Sequence, residues 1–225
     1  MLESHDRTVK LIGNDGLEKL AASSVLVVGL GGVGGCVFEM LARAGIGKIT
    51  AVDGDVFEIT NLNRQILSTV ANAGTPKAIA AAKRAEEIAP HCVVNAKFMR
   101  YCEQTADEIF SKRYDYVADC IDSVADKTDL IVRCNKENVP VISAMGSGNR
   151  LKPRFTVTDV FSSSGDGLAR VMRKRLREAG IKSLTVVCDT ELPLKRDGTP
   201  GTVSYAPNMS GCVMAQHIVT ELLCK

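Results

Sequence analysis

Asp53, Asp55, Asn61, Asn63, Arg64 and Gln65 fall within one short stretch of the chain, and Lys77 follows closely. Acid, amide and cation mixed at that density suit a ribose and a row of phosphates better than an apolar ligand. Arg64 can fork onto two phosphate oxygens, and Lys77 can set a point charge beside an α-phosphate. Asp53 can accept hydrogen bonds from ribose hydroxyls. Asn61 and Gln65 add neutral hydrogen bonds, while Asp55 is a second acid on the same loop with no single partner implied. A more distant acid, Asp122, suits magnesium shared with phosphate oxygens and water, and equally suits capping the helix after it. Lys77 also admits the plainer reading of a solvated side chain, although a cation in a first helical turn opposes the helix dipole by about 0.3–1 kcal/mol.

These side chains need elements to hold them. The apolar run Val25 to Val28 leads into Gly29-Leu-Gly31-Gly32-Val-Gly34, and a helical pattern follows from Val33 to Ala44. A second apolar run, Ile49 to Val52, ends at Asp53. Strand, glycine turn, helix, strand and acidic tip is the order of a nucleotide-binding βαβ unit. Gly29 permits the tight turn, Gly31 with Gly32 beside it lets the backbone approach phosphate, and Gly34 allows close helix–strand packing. Backbone N–H groups at the helix start then face the anion, helped by the helix dipole. A nicotinamide oxidoreductase would use the glycine turn and Asp53 but leave Arg64, Lys77 and Asp122 without work. An enzyme handling a triphosphate needs all of them.

The same alternation continues. Thr75-Pro76 opens a helix with proline at its first position, running to about Ile88. Residues 91–99 read as a strand, 105–111 as a short helix, 114–119 as a strand, 124–138 as a helix and 139–143 as a strand. Repeated βα units predict an α/β, Rossmann-like doubly wound fold, with a mainly parallel sheet and helices on both faces. Ligands then collect beyond the carboxyl ends of the strands. Gly29–Gly34, Asp53–Asp55, Asp122 and Ala144–Gly148 all follow strand ends, so one crevice can hold them all.

At 225 residues, 45% hydrophobic and 24% charged, the chain is expected to form a single domain over 1–225. A net charge of +2 names no partner. No signal peptide and no apolar run long enough to span a membrane are read. Eight scattered cysteines with no C-x-x-C pair fit buried free thiols in a reducing cytoplasm. Cys188, inside Val186–Asp189, is the thiol most open to suspicion, yet it reads better as a buried strand residue. His5, His91 and His217 lie far apart and form no catalytic set.

Taken together, Gly29-x-Gly-Gly-Val-Gly34, Asp53-x-Asp55, Asn61-Leu-Asn63-Arg64-Gln65, Pro76-Lys77 and Asp119-Cys-Ile-Asp122 resemble the ubiquitin-activating-type adenylating enzymes across residues 1–150. The resemblance implies ATP bound as its magnesium complex, with a carboxylate attacking the α-phosphate to give an acyl-adenylate and pyrophosphate. It implies Asp53 on the ribose, Arg64 and Lys77 on the phosphates, and Asp122 on magnesium. It also implies a homodimer in which an N-terminal arginine reaches the partner's ATP. Asp6-Arg7-Thr8-Val-Lys-Leu-Ile-Gly13 looks like that arm, placed at 1–20, and makes Arg7 the candidate.

The chain lacks the two C-x-x-C zinc pairs usual in enzymes that activate ubiquitin-like sulfur carriers. It is most similar to the tRNA threonylcarbamoyladenosine dehydratase branch, on its arm, on Asp122-Ser123-Val-x-x-Lys127 and on the turn Ala144-Met-Gly-Ser-Gly148. In that branch ATP activates the threonyl carboxylate of a modified adenosine beside the anticodon, and the ureido group closes a hydantoin with loss of AMP. That chemistry needs no protein thiol. Activation of the C-terminal glycine of a ubiquitin-like sulfur carrier is the alternative, with sulfur-relay proteins as possible partners.

A tRNA needs a cationic surface. Arg150-Leu-Lys152-Pro-Arg154 is followed by a helix expected over 168–179 with Arg170, Arg173, Lys174, Arg175 and Arg177, and Lys182 lies just beyond. The run reads as a footprint for a phosphate backbone, or as the solvated face of a surface helix. Residues 150–205 are read as a substrate-side crossover with loops, and 208–224 as a terminal core helix.

Overall fold

The computed structural model describes residues 3–195 and 197–224; Met1 and Leu2 of the expected arm, Arg196 of the crossover and Lys225 at the domain's end lie outside the described residues. Seven strands form one sheet: β1 (Ser24–Val28), β2 (Lys48–Val52), β3 (Val93–Lys97), β4 (Tyr116–Asp119), β5 (Val141–Ala144), β6 (Phe155–Asp159) and β7 (Thr185–Asp189). Their spatial order is β3-β2-β1-β4-β5-β7-β6. Every neighbouring pair is parallel except β6 with β7. Strands of a parallel sheet covered on both faces read as continuous apolar runs. Val25, Leu26 and Val27 of β1 are accordingly fully buried.

The helices are α1 (Asp6–Ala22), α2 (Gly32–Ala44), α3 (Lys77–Ile88), α4 (Glu103–Ile109), α5 (Val124–Glu137), α6 (Gly167–Glu178) and α7 (Tyr205–Cys224). Apolar side chains of α1, α2, α3 and α7 share one core cluster with β1 and β2. Those of α4 and α5 pack on the opposite side chains of β1 and β4, and α6 joins α5, β5 and β7 in a third cluster. The expected α/β sandwich is therefore formed, with helices on both faces. No described helix is long and apolar enough to cross a membrane.

Four expectations change. The N-terminal segment is helical, broken at Gly13, whose φ of 74° no ordinary side chain adopts comfortably. Leu20, in the second half of α1, is buried, and the Lys19 ammonium donates to the Leu223 carbonyl of α7 at 3.0 Å. Pro76 sits just before α3 rather than inside it, and its carbonyl accepts from the Ala80 N–H at 3.0 Å. Residues 150–205 contain the antiparallel edge strand β6, which pairs with β7 from Phe155–Asp189 to Asp159–Thr185. The terminal helix starts at Tyr205, earlier than expected.

Candidate nucleotide site

From β1 the chain runs outward to β2 and β3, then returns to β4 on the other side of β1. That reversal is the topological switch point where α/β sheets bind ligands. A crevice of about 880 Å3 opens there.

Its floor is the glycine turn. Gly29 has φ of 87°, and a Cβ on it would lie 2.7 Å from the Cys120 carbonyl oxygen at the end of β4. Gly34 does not line the crevice: a Cβ there would lie 1.8 Å from the Gly29 carbonyl oxygen, so α2 could not dock on β1. Gly34 is thus a packing residue, in the role the sequence gives it, and does not itself line the crevice as the other glycines of the nucleotide-binding turn do. Gly29, Gly31 and Gly32 do line the crevice. The first turn of α2 leaves backbone N–H groups without intrahelical partners, with the positive end of the dipole behind them.

Asp53 ties the turn to the loop after β2. One carboxylate oxygen accepts the Leu30 N–H at 2.6 Å, the other the Asp55 N–H at 2.8 Å. Burial raises its pKa above the usual carboxylate value, opposed by those two hydrogen bonds and the charge of Lys77. Lys77 opens α3 and is held against the same loop: its N–H donates to the Asp55 carbonyl at 2.9 Å and its ammonium reaches the Asp55 carboxylate at 3.1 Å. Asp55, unassigned in sequence, is therefore the counter-ion of Lys77.

The polar loop is braced from within. Asn61 accepts the Glu58 N–H at 3.0 Å, and Arg64 donates to the Thr60 carbonyl at 3.0 Å and to the Asn63 side chain at 2.9 Å. Asn63 itself does not line the crevice; it supports Arg64 and donates to the Thr202 carbonyl at 3.3 Å. Gln65 is buried, lines the crevice, and its side-chain oxygen has no hydrogen-bond partner among the described residues. That is an acceptor left for a ligand hydroxyl or water.

Asp122 lines the opposite wall and is exposed there. The residue before α5 is Ser123, so Asp122 is not its N-cap. Beneath it, Lys127 and Asp119 form a fully buried ion pair at 2.8 Å, joined by the Ser143 hydroxyl, which donates to Asp119 at 2.6 Å. This post fixes β4, β5 and α5 directly below the acid.

Several crevice residues, among them Arg100, Tyr101, Asp126 and Thr202, went unnoticed in the sequence. Arg100 and Asp126 form an ion pair at 3.6 Å across the rim, between the end of β3 and the start of α5. Tyr101 is buried beside them and donates to Asp129 at 2.8 Å. Thr202 lines the crevice as well. The signals were a cation just after a strand and an acid four positions beyond Asp122.

Arg7 is exposed on α1 and does not line this chain's crevice. Arg150 is the clearest correction. Its guanidinium is buried between Asp166 at 3.0 Å and Asp189 at 2.9 Å and donates to the Gly146 carbonyl at 3.0 Å. It holds the Ala144–Gly148 turn in place and cannot meet a nucleic acid. Arg173 is also engaged, donating to the Ser163 hydroxyl at 2.7 Å, and Arg177 lies over the Phe161 ring. Arg170, Lys174, Arg175 and Lys182 remain exposed, as do Lys152 and Arg154. Cys188 is a buried strand residue, its thiol pushed up by burial.

Glycine turn, acidic strand tip and cations meeting at the switch point of a seven-stranded α/β sheet define a nucleotide-binding protein built to handle phosphates. The chain belongs to the ThiF family, whose model matches residues 4–225. It is 36% identical to the tRNA threonylcarbamoyladenosine dehydratase of Bacillus subtilis (strain 168), over 99% of this chain and 96% of that protein. The crystal structure of E. coli tRNA N6-threonylcarbamoyladenosine dehydratase in complex with ATP is similar at a TM-score of 0.93 and 31% identity, covering 99% of this chain and 94% of that one. The molybdopterin-synthase adenylyltransferase of Haemophilus influenzae is 37% identical over a shorter span, 66% of this chain and 60% of that protein.

Proposed function

We propose that the protein is an ATP-dependent tRNA threonylcarbamoyladenosine dehydratase. The observation that carries the reading is the convergence of Arg64, Lys77 and Asp122 on the crevice floored by the glycine turn. A nicotinamide oxidoreductase gives those three no task. The full-length match to a dehydratase, against a partial match to a sulfur-carrier-type adenylyltransferase, favours the tRNA substrate.

ATP lies with its ribose at Asp53, its phosphates over the first turn of α2, and Arg64 and Lys77 along the phosphate chain. Magnesium fits this donor set: no group of three His, Cys, Asp or Glu suited to a metal occurs among the described residues, so Asp122 would share the ion with phosphate oxygens and water. Bound there, the ion neutralises charge on the phosphates. The threonyl carboxylate attacks the α-phosphorus and pyrophosphate leaves. Lys77 and Arg64 stabilise the charge that grows on the phosphate oxygens. The ureido nitrogen, already in the same substrate, then attacks the acyl carbon and AMP departs; proximity replaces a protein nucleophile.

The exposed face of α6 with Lys152, Arg154 and Lys182 meets the tRNA backbone. A second copy of the chain completes the site with Arg7. The experiment is AMP release with three acceptors: tRNA carrying threonylcarbamoyladenosine, the same tRNA lacking it, and a carrier protein with a free Gly-Gly tail. Release with the modified tRNA alone, with loss of one water from the nucleoside, is expected. Pyrophosphate exchange driven by the carrier would replace this reading with sulfur-carrier activation.

A further inference from the structure

Cys36 on α2 and Cys212 on α7 bring their sulfurs to 3.6 Å. The helices come this close because Gly211 has no side chain: a Cβ there would lie 2.7 Å from the Cys36 Cβ and from the Val33 carbonyl oxygen. Cys36 is buried and donates its S–H to the Asn208 carbonyl at 3.3 Å, whereas Cys212 is exposed. An exposed sulfur can meet an oxidant, and a buried sulfur in contact with it can then resolve the product. We propose that Cys36 and Cys212 are a peroxide-responsive dithiol that closes to a disulfide between α2 and α7.

The steps balance with a peroxide as the oxidant. The Cys212 sulfur attacks hydrogen peroxide, the O–O bond breaks, and a sulfenic acid forms while the hydroxide takes the thiol proton as water. The Cys36 sulfur then attacks the Cys212 sulfur. The S–O bond breaks, the S–S bond forms, and the departing hydroxide leaves as water with the Cys36 proton. Burial, followed by Cys212 itself, pushes the Cys36 thiol up, so Cys36 serves as the resolving partner and not the first to react.

The pair lies just behind the crevice. Pro207, in the first turn of α7, lines it and would touch a Cβ on Gly32 at 2.9 Å. The Asn208 side chain donates to the Arg64 carbonyl at 3.1 Å. Bringing the sulfurs to bonding distance, about 2.05 Å, draws α7 against α2 and removes the S–H bond to Asn208. The disulfide therefore disturbs the phosphate wall from behind and weakens ATP binding. That last consequence rests on the nucleotide reading; the cross-link itself does not.

The test treats the full chain with hydrogen peroxide, alkylates the remaining thiols, and maps peptides without reduction. A Cys36–Cys212 disulfide reversed by dithiothreitol is expected. In Cys36→Ser, Cys212 is expected to be trapped as a sulfenic acid that reacts with dimedone. Recovery of Cys36 as a free alkylated thiol, with Cys212 over-oxidised or linked to another chain, overturns the proposal. ATP titration of the reduced and oxidised protein supplies the second arm. Affinity several-fold weaker after oxidation, restored by dithiothreitol and unchanged by peroxide in Cys212→Ser, is expected. Equal affinities overturn the coupling to the crevice, and failure of the reduced protein to bind ATP overturns the nucleotide reading instead.

Discussion

Lys77 and Arg150 are both buried cations, and they do opposite things. Lys77 is 8% exposed and pairs with Asp55, whose own side chain is 76% exposed. Arg150 is 3% exposed and pairs with Asp166 and Asp189, at 2% and 1%. A counter-ion in water holds its cation weakly, so a polyphosphate can displace it; two buried carboxylates leave nothing to displace. The nucleotide half of the molecule therefore keeps its cations available, while the other half spends its first conspicuous arginine on the Ala144–Gly148 turn. Burial of the cation does not decide its role; burial of its partner does.

Arg150→Met should show the largest effect. It strands two buried carboxylates and should cost about 3–5 kcal/mol of stability, read by chemical denaturation. A variant of unchanged stability with weakened tRNA binding would return Arg150 to the nucleic-acid surface and end the contrast.

Lys77→Met sharpens the comparison from the other side. Its partner is solvated, so stability should barely change, while ATP turnover should fall about 10²–10³-fold. Asp122→Ala should abolish turnover with the fold intact by circular dichroism, and substantial residual adenylation would remove Asp122 from the phosphate chemistry.

A smaller effect is expected on α6, where the same distinction separates neighbours. Lys174→Ala with Arg175→Ala should reduce the salt dependence of tRNA binding by about one unit per lost phosphate contact and leave stability alone. Arg173→Ala should instead lower stability, because its guanidinium secures Ser163. Equal salt slopes in both variants would show that exposure does not sort these cations.

That sorting marks the limit of what was legible in the sequence. The crevice could be read because its signals are local: Gly29 to Gly34 lie together, Asp53 ends its own strand, and Arg64 follows within the same loop. Parallel strands buried on both faces announced themselves as apolar runs. Arg150 could not be sorted, since its partners come from 16 and 39 positions further on through the pairing of β5, β7 and β6. β6 was missed for a related reason: Phe-Thr-Val-Thr-Asp becomes a strand only against β7, which arrives after α6. Arg100 and Asp126 meet from the loop after the edge strand β3 and the helix after the central strand β4, which no spacing rule connects.

His5 and His91 extend the comparison to bases kept without a charged partner. Their rings meet edge to face at 4.6 Å, in a cavity of about 310 Å3 also lined by Asn14 and Glu18. Burial, followed by the neighbouring His5, lowers the His91 pKa below its ordinary 6.5. As pH falls below that value the unfolded chain takes up the proton before the folded one does, so the unfolded state gains protons and stability drops. The contribution of His91 to stability is therefore greatest above about pH 6.5 and declines toward its folded-state pKa, below which the penalty is constant. His91→Phe keeps a ring in the cavity and removes the proton site, so its melting temperature should depend less on pH over this window. The expected difference is a few degrees at most, the smallest of the series. A variant with the wild-type pH slope would mean that folding leaves the affinity of His91 for its proton unchanged, and a variant falling more steeply toward low pH would mean that Glu18 acts toward His91 as Asp55 acts toward Lys77.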